Sequence, residues 1–123
     1  MEVLHYIKCK TTVPGFHQWK DAPEAVSFLR DIHRHLFTLT VTRRVTHTDR
    51  DVEFFLYQRV LCNTLRVLFA EDPAGFMFGQ HSCEEIARLV WLELYKTDKC
   101  VLGVEVSEDG ENAGGVTLTD GGV

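Results

Sequence analysis

His33-Arg-His-Leu-Phe-Thr-Leu-Thr-Val-Thr-Arg-Arg-Val45 alternates with a period of two. Such a period puts His33, His35, Phe37, Leu39 and Val41 on one face and Arg34, Leu36, Thr38, Thr40 and Thr42 on the other, the signature of a half-buried β-strand. The threonines and valine are β-branched and pack well on a pleated surface, which supports the assignment. On that strand the two imidazoles point the same way, about 7 Å apart at Cα, a spacing that suits two ligands of one ion. His17 can supply a third ligand. The competing reading is that two histidines open a strand and bond to backbone or solvent.

Working outward, residues 2–10 alternate as well, with Val3, His5, Ile7 and Cys9 on one face, and predict a strand. Pro14-Gly15 reads as a turn. Asp21-Ala-Pro-Glu24 reads as an acidic cap opening a short helix over EAVSFLRD. Beyond Thr48-Asp49, apolar residues from Val52 to Phe69 recur at helical spacing over an arc wide enough to predict burial against a sheet, a neighbouring subunit, or both. The stretch AEDPAGFMFGQ reads as a loop by its Pro and Gly content, with Phe76, Met77 and Phe78 turned into the core or an interface. Ser82-Cys83-Glu84-Glu85 is a capping box that opens a second helix, EEIARLVWLELY, ending near Lys96. Residues 100–108 alternate again, and Leu102, Val104 and Val106 share their row with Glu108. EDGENAGG reads as a turn into a short strand, VTLT, and a Gly-rich end expected to fray.

The order β-β-α-α-β-β predicts an α+β fold: a four-stranded antiparallel sheet with two helices on one face. We expect one domain over residues 1–123, with residues 109–123 a partly flexible turn, short strand and tail. The first and last strands are open edges unless another chain covers them, so a homo-oligomer joined edge to edge is expected.

The 123 residues are 45% hydrophobic and 25% charged, as in ordinary globular domains. Thirteen basic residues against 18 acidic give a net charge of −5, which lacks the electrostatic footprint of a nucleic-acid-binding surface. No apolar run approaches the ~20 residues that cross a bilayer. The opening MEVLHYIKCK alternates instead of forming an apolar h-region, so we expect a cytoplasmic protein with no membrane partner. Cys9, Cys62, Cys83 and Cys100 form no C-x-x-C pair and are expected to be free thiols.

Four short signatures in this order resemble the 6-pyruvoyl tetrahydropterin synthase and 6-carboxy-tetrahydropterin synthase family, which has the tunnelling fold. Gly-Phe-His17 is similar to the family's first zinc histidine after the first strand, and His33-Arg-His35 to its His-Gly-His. His81-Ser82-Cys83-Glu84-Glu85-Ile86-Ala87 resembles Pro-Thr-Ser-Glu-Asn-Leu-Ala at the start of the second helix. Val104-Glu105-Val106-Ser107-Glu108 resembles the strand ending in the glutamate that anchors the pterin. The resemblance spans roughly residues 2–119. It implies zinc on His17, His33 and His35, a ligand held by Glu108, Glu84, Ser82 and Cys83, and trimers stacking into hexamers.

The same resemblance exposes two departures. Family members place a cysteine base four residues before the His-x-His, and an Asp-His pair at the end of the first long helix. Those positions are Leu29 and Phe69-Ala70 here, and an aliphatic side chain carries no proton. Glu108, at the end of an apolar strand face, is well placed to accept two parallel hydrogen bonds from one edge of a pterin or a guanine. We therefore expect no catalytic residue and a non-catalytic protein that grips a pterin or purine nucleotide at subunit interfaces, sequestering a nucleotide signal. The alternatives are a divergent zinc-dependent synthase with a relocated base, and a structural subunit with an empty pocket.

Overall fold

The computed structural model describes residues 2–119. Its elements run β1 (Tyr6–His17), a short 3-10 helix (Glu24–Arg30), β2 (His33–Arg44), α1 (Phe54–Leu68), β3 (Ala70–Asp72), β4 (Gly75–Gly79), α2 (Cys83–Tyr95), β5 (Val101–Glu108) and β6 (Asn112–Thr117). The six strands form one sheet of order β3-β4-β1-β2-β5-β6. Within it β1-β2-β5-β6 is the expected four-stranded antiparallel unit, two hairpins joined by the β2–β5 pairing, and α1 and α2 cover one face. The expected tail, 120–123, lies outside the described residues.

The alternation of β2 carries the core. Phe37, Leu39 and Val41 are buried with Cys9 and Val13 of β1 and Val104 and Val106 of β5. From α1 come Tyr57, Leu61 and Leu65, and from α2 Ile86, Ala87, Val90 and Leu94. The remainder of α1's wide apolar arc, Leu56, Val60 and Val67, faces out.

Four expectations need correction. First, β1 does not turn at Pro14-Gly15 but continues to His17, paired with β2 throughout. The carbonyl of Lys10 faces away from β2, where it accepts Gln58 Nε2 at 2.8 Å. Pro14 shares that parity, so its missing N–H falls on the side where no ladder bond is lost. Second, AEDPAGFMFGQ is a hairpin, not a loop. Its second strand runs parallel to β1 at Gly15–His17, so the sheet is mixed and larger than four strands. Phe76 and Phe78 point inward and Met77 outward, a period of two hidden by its brevity. Asp72 Oδ1 accepts the amides of Ala74 and Gly75, closing the turn. Third, the segment at 24–30 is a 3-10 helix interrupted at Val26, with no side-chain cap. Fourth, β6 spans Asn112–Thr117, not VTLT, because Asp109 and Gly110 both take positive φ and turn the chain at once.

The helix starts follow local chemistry. Glu53 caps α1 by accepting from the amides of Phe55 and Leu56. Ser82 Oγ accepts the amide of Glu85, but the Glu85 carboxylate binds Arg88 and does not reach back, so only half of the capping box forms. The four cysteines are free. No helix among the described residues is long and apolar enough to cross a membrane.

Candidate metal and ligand site

Strand register assembles the site. His17, the last residue of β1, lies directly opposite His33, the first of β2. His35 follows two residues on, on the same face. Glu108, the last residue of β5, pairs with Phe37 and is therefore a diagonal neighbour of His35. Three strand ends thus deliver three imidazoles and a carboxylate to one rim of the buried face. Phe37 packs edge-on beneath His17 and His35, and Phe78 beneath Phe37. Gly15 makes room for this floor, since a Cβ there would lie 2.4 Å from the Phe78 ring.

The hydrogen bonds around the histidines fix their tautomers. His17 Nδ1 is 3.0 Å from the carbonyl of His81, His33 Nδ1 2.8 Å from that of Asp31, and His35 Nδ1 2.6 Å from Asp109 Oδ2. Those oxygens only accept, so each Nδ1 carries the proton and each neutral ring keeps its lone pair on Nε2. One ligand atom from each of the three rings falls within 4.8 Å of the others. Nε2 of His33 and of His35 is buried with no hydrogen-bond partner. His17, only 11% exposed, has Nε2 3.1 Å from Glu108 Oε1, and His35 Nε2 is 3.7 Å from Glu108 Oε2. A lone pair facing a carboxylate calls for a proton or a cation between them. Burial holds His17 below its ordinary imidazole range, against the pull of the His81 carbonyl and Glu108. Orphaned lone pairs converging on a carboxylate, with the far ring nitrogens tied down, are what a first-row divalent cation requires. The residues present fit a metal ion.

The cluster opens on a cavity of about 610 Å³, lined among others by His17, His33, Glu108, Leu29, Trp19 and His81. Ser82, Cys83, Glu84 and Glu85 at the start of α2 line it as well, so the structure brings every sequence-expected residue but His35 to the wall, and His35 stands behind Glu108. Glu108 is 28% exposed and turned into the cluster. Burial, and next the neighbouring Glu108 carboxylate, push the Cys83 thiol up to about 12, so it is not a thiolate near neutral pH. The backbone hydrogen bond of Glu84 to its own N–H, and then the Ser82 hydroxyl, hold its carboxyl below the usual range.

Sequence reasoning missed Asp109, Asp31, Trp19, Gln18 and Gln80. Asp109 carried a signal, the Asp-Gly pair directly after Glu108. It clamps β2 by accepting from Leu36 N (2.8 Å) and His35 while its own N–H donates to Leu36 O (2.7 Å). The others reach the site through tertiary packing, which leaves no local pattern.

No family model matches the sequence, and no curated protein matches it. Solved structures do match. The chain is similar to 6-pyruvoyl tetrahydropterin synthase of Caenorhabditis elegans at 10% identity and a TM-score of 0.66, covering 95% of this chain and 97% of that one. It is similar to an uncharacterized protein of Wolinella succinogenes at 11% identity and a TM-score of 0.69, covering 94% and 99%. A catalytic-residue mutant of Plasmodium vivax 6-pyruvoyltetrahydropterin synthase matches at 14% identity and a TM-score of 0.58, covering 95% and 99%. At such identities the likeness is one of fold. The chain has the fold of 6-pyruvoyl tetrahydropterin synthase, the tunnelling fold.

Proposed function

We propose that this protein holds a pterin or a purine, free or as its nucleotide, in the cavity beside a zinc ion on His17, His33 and His35, and that it does not run the synthase reaction. The observation that carries the reading is an asymmetry within one cavity. Groups that grip converge there, while Leu29 occupies the wall position where the resemblance calls for a thiol base. Glu108 accepts the paired N–H and amino donors of the heterocycle's edge, a charge-assisted bidentate contact about twice as strong as a neutral one. Trp19 and Leu29 bound the ring. Ser82, Cys83 and Glu84 approach from the start of α2, and Cys83, a protonated thiol, donates rather than attacks. Zinc supplies a Lewis-acid site for an oxygen of the ligand's side chain.

An imidazole in the cavity wall, His81, favours a second reading, a zinc-dependent synthase with a relocated base. Native mass spectrometry of the zinc-loaded protein tests the first by added mass on incubation with neopterin or guanosine. His33→Ala is expected to lose the metal and Glu108→Gln the heterocycle. Absence of any heterocycle adduct rules out the binding reading. Turnover of dihydroneopterin triphosphate that disappears in His81→Ala decides for the enzyme.

A further inference from the structure

We infer that the ligand of this cavity is unphosphorylated: a free heterocycle or its nucleoside, neutral or cationic, with Trp19 as its stacking surface. The inference rests on the heterocycle-binding reading and narrows it. Three carboxylates, Glu84, Glu85 and Glu108, line the cavity, and no lysine or arginine among the described residues does. Away from the proposed zinc ion, and with Glu85 paired to Arg88, a phosphate group there meets the carboxylates of Glu84 and Glu108 with no basic side chain of this chain to offset them. Arg88, the basic residue one turn along α2, is bonded to Glu85 through Nε at 2.9 Å and through a second nitrogen, and it lies outside the lining. Arg30 is bonded to Ala22 O at 2.8 Å and to Glu24.

The start of α2 is the remaining place where backbone donors would take a phosphate. One of its amides is already taken and its first turn is acidic. Ser82 Oγ accepts the Glu85 amide at 3.2 Å, and Glu84, whose carboxyl is held below the usual range by its backbone N–H and then the Ser82 hydroxyl, puts a negative charge at the same end. An incoming anion meets that charge. For a flat uncharged ring the same wall is favourable. Trp19 lines the cavity while remaining 49% exposed, and its backbone is pinned by N–H donation to Leu29 O at 2.8 Å and acceptance from Ala22 N at 3.1 Å. The pinned backbone keeps the indole at the cavity wall, where it offers a stacking face, and stacking tolerates any aromatic ring.

Calorimetry on the zinc-loaded full-length protein compares neopterin, guanosine and guanosine monophosphate. Guanosine is expected to bind about tenfold or more tighter than its monophosphate, the gap narrowing as salt is added. Glu84→Gln is expected to shrink that ratio about threefold or more by removing the blocking charge. Trp19→Ala is expected to weaken guanosine about tenfold or more, with Trp19→Phe recovering most of the loss. A monophosphate that binds as tightly as guanosine overturns this inference and leaves the heterocycle reading standing. A ratio unmoved by Glu84→Gln overturns the role given to that carboxylate. Failure of all three ligands to bind overturns the heterocycle reading and this inference together.

Discussion

Asp109 holds the histidine cluster from outside it. Its Oδ2 takes the Nδ1 proton of His35 and its Oδ1 the amide of Leu36, while a positive φ of 52° lets the turn fold back far enough to do both. A carboxylate on the far nitrogen raises the basicity of the near one and sets the ring's orientation. Asp109→Asn keeps an oxygen for the Leu36 amide but loses the charge. We expect zinc affinity, measured by competition with a chelator, to fall about 10–100-fold while the metal-free protein keeps its denaturation midpoint. An unchanged affinity would mean that His35 is oriented by Phe37 packing alone. Gly15 acts one layer lower. A methyl group there would sit 2.4 Å from one atom of the Phe78 ring and 2.9 Å from one of Phe37, and both rings are confined by the core. Gly15→Ala is expected to destabilise by about 1–3 kcal/mol, as overpacking does, read as a lower urea midpoint at constant slope.

At the level of elements, α2 concentrates acidity at its positive end. Glu84 and Glu85 both titrate below the ordinary carboxylate range, Glu84 through its own backbone N–H and the Ser82 hydroxyl, Glu85 through Arg88. A depressed folded-state value gives stability that is fully present above the unfolded value of roughly 4.3 and lost as pH falls through the folded one. Urea midpoints are therefore expected to drop steeply below about pH 4.3, and a Glu84→Gln, Glu85→Gln double variant to show a shallower fall. Equal slopes would remove these two groups from acid unfolding. Ser82→Ala is expected to cost about 1 kcal/mol through loss of the cap. This end of α2 was legible in the sequence because capping is local chemistry. So were β2 and β5, whose alternation sorts Phe37, Leu39, Val104 and Val106 to the core. The β3–β4 hairpin was not legible: three and five residues around Asp72-Pro73 carry turn signals denser than their periodicity, and it takes pairing with both β3 and the uncovered edge of β1 to make Phe76–Met77–Phe78 a strand. The three histidines were legible as candidates, but their meeting depends on the His17–His33 register. That register exists because β1 runs through Pro14-Gly15 instead of stopping there.

For the whole molecule, the unresolved physical demand is at the sheet's edges. β4 covers β1 only at Gly15–His17, so from Tyr6 to Pro14 the outer edge of β1 has no strand partner among the described residues, and one of its carbonyls, on Lys10, is taken by Gln58. β6 is the far edge. The bond from Leu118 N to Leu102 O fixes the parity there: even-numbered residues of β6 bond to β5, and Ala113, Gly115 and Thr117 present their backbone groups outward. Exposed edges of this kind pair with other chains unless blunted, and Phe28 and Ile32, each next in sequence to a cavity-lining residue, are also left exposed. A homo-oligomer, a trimer or a hexamer with β6 of one copy along the open part of β1 of the next, would satisfy both edges and bring each cavity to a subunit boundary. Thr117→Pro tests this without disturbing the fold, because the N–H it deletes is not in the β5 ladder. The expected outcome is dissociation to smaller species in native mass spectrometry with the circular dichroism of the parent retained. If the variant keeps the parent's subunit number, β6 is not the joining edge.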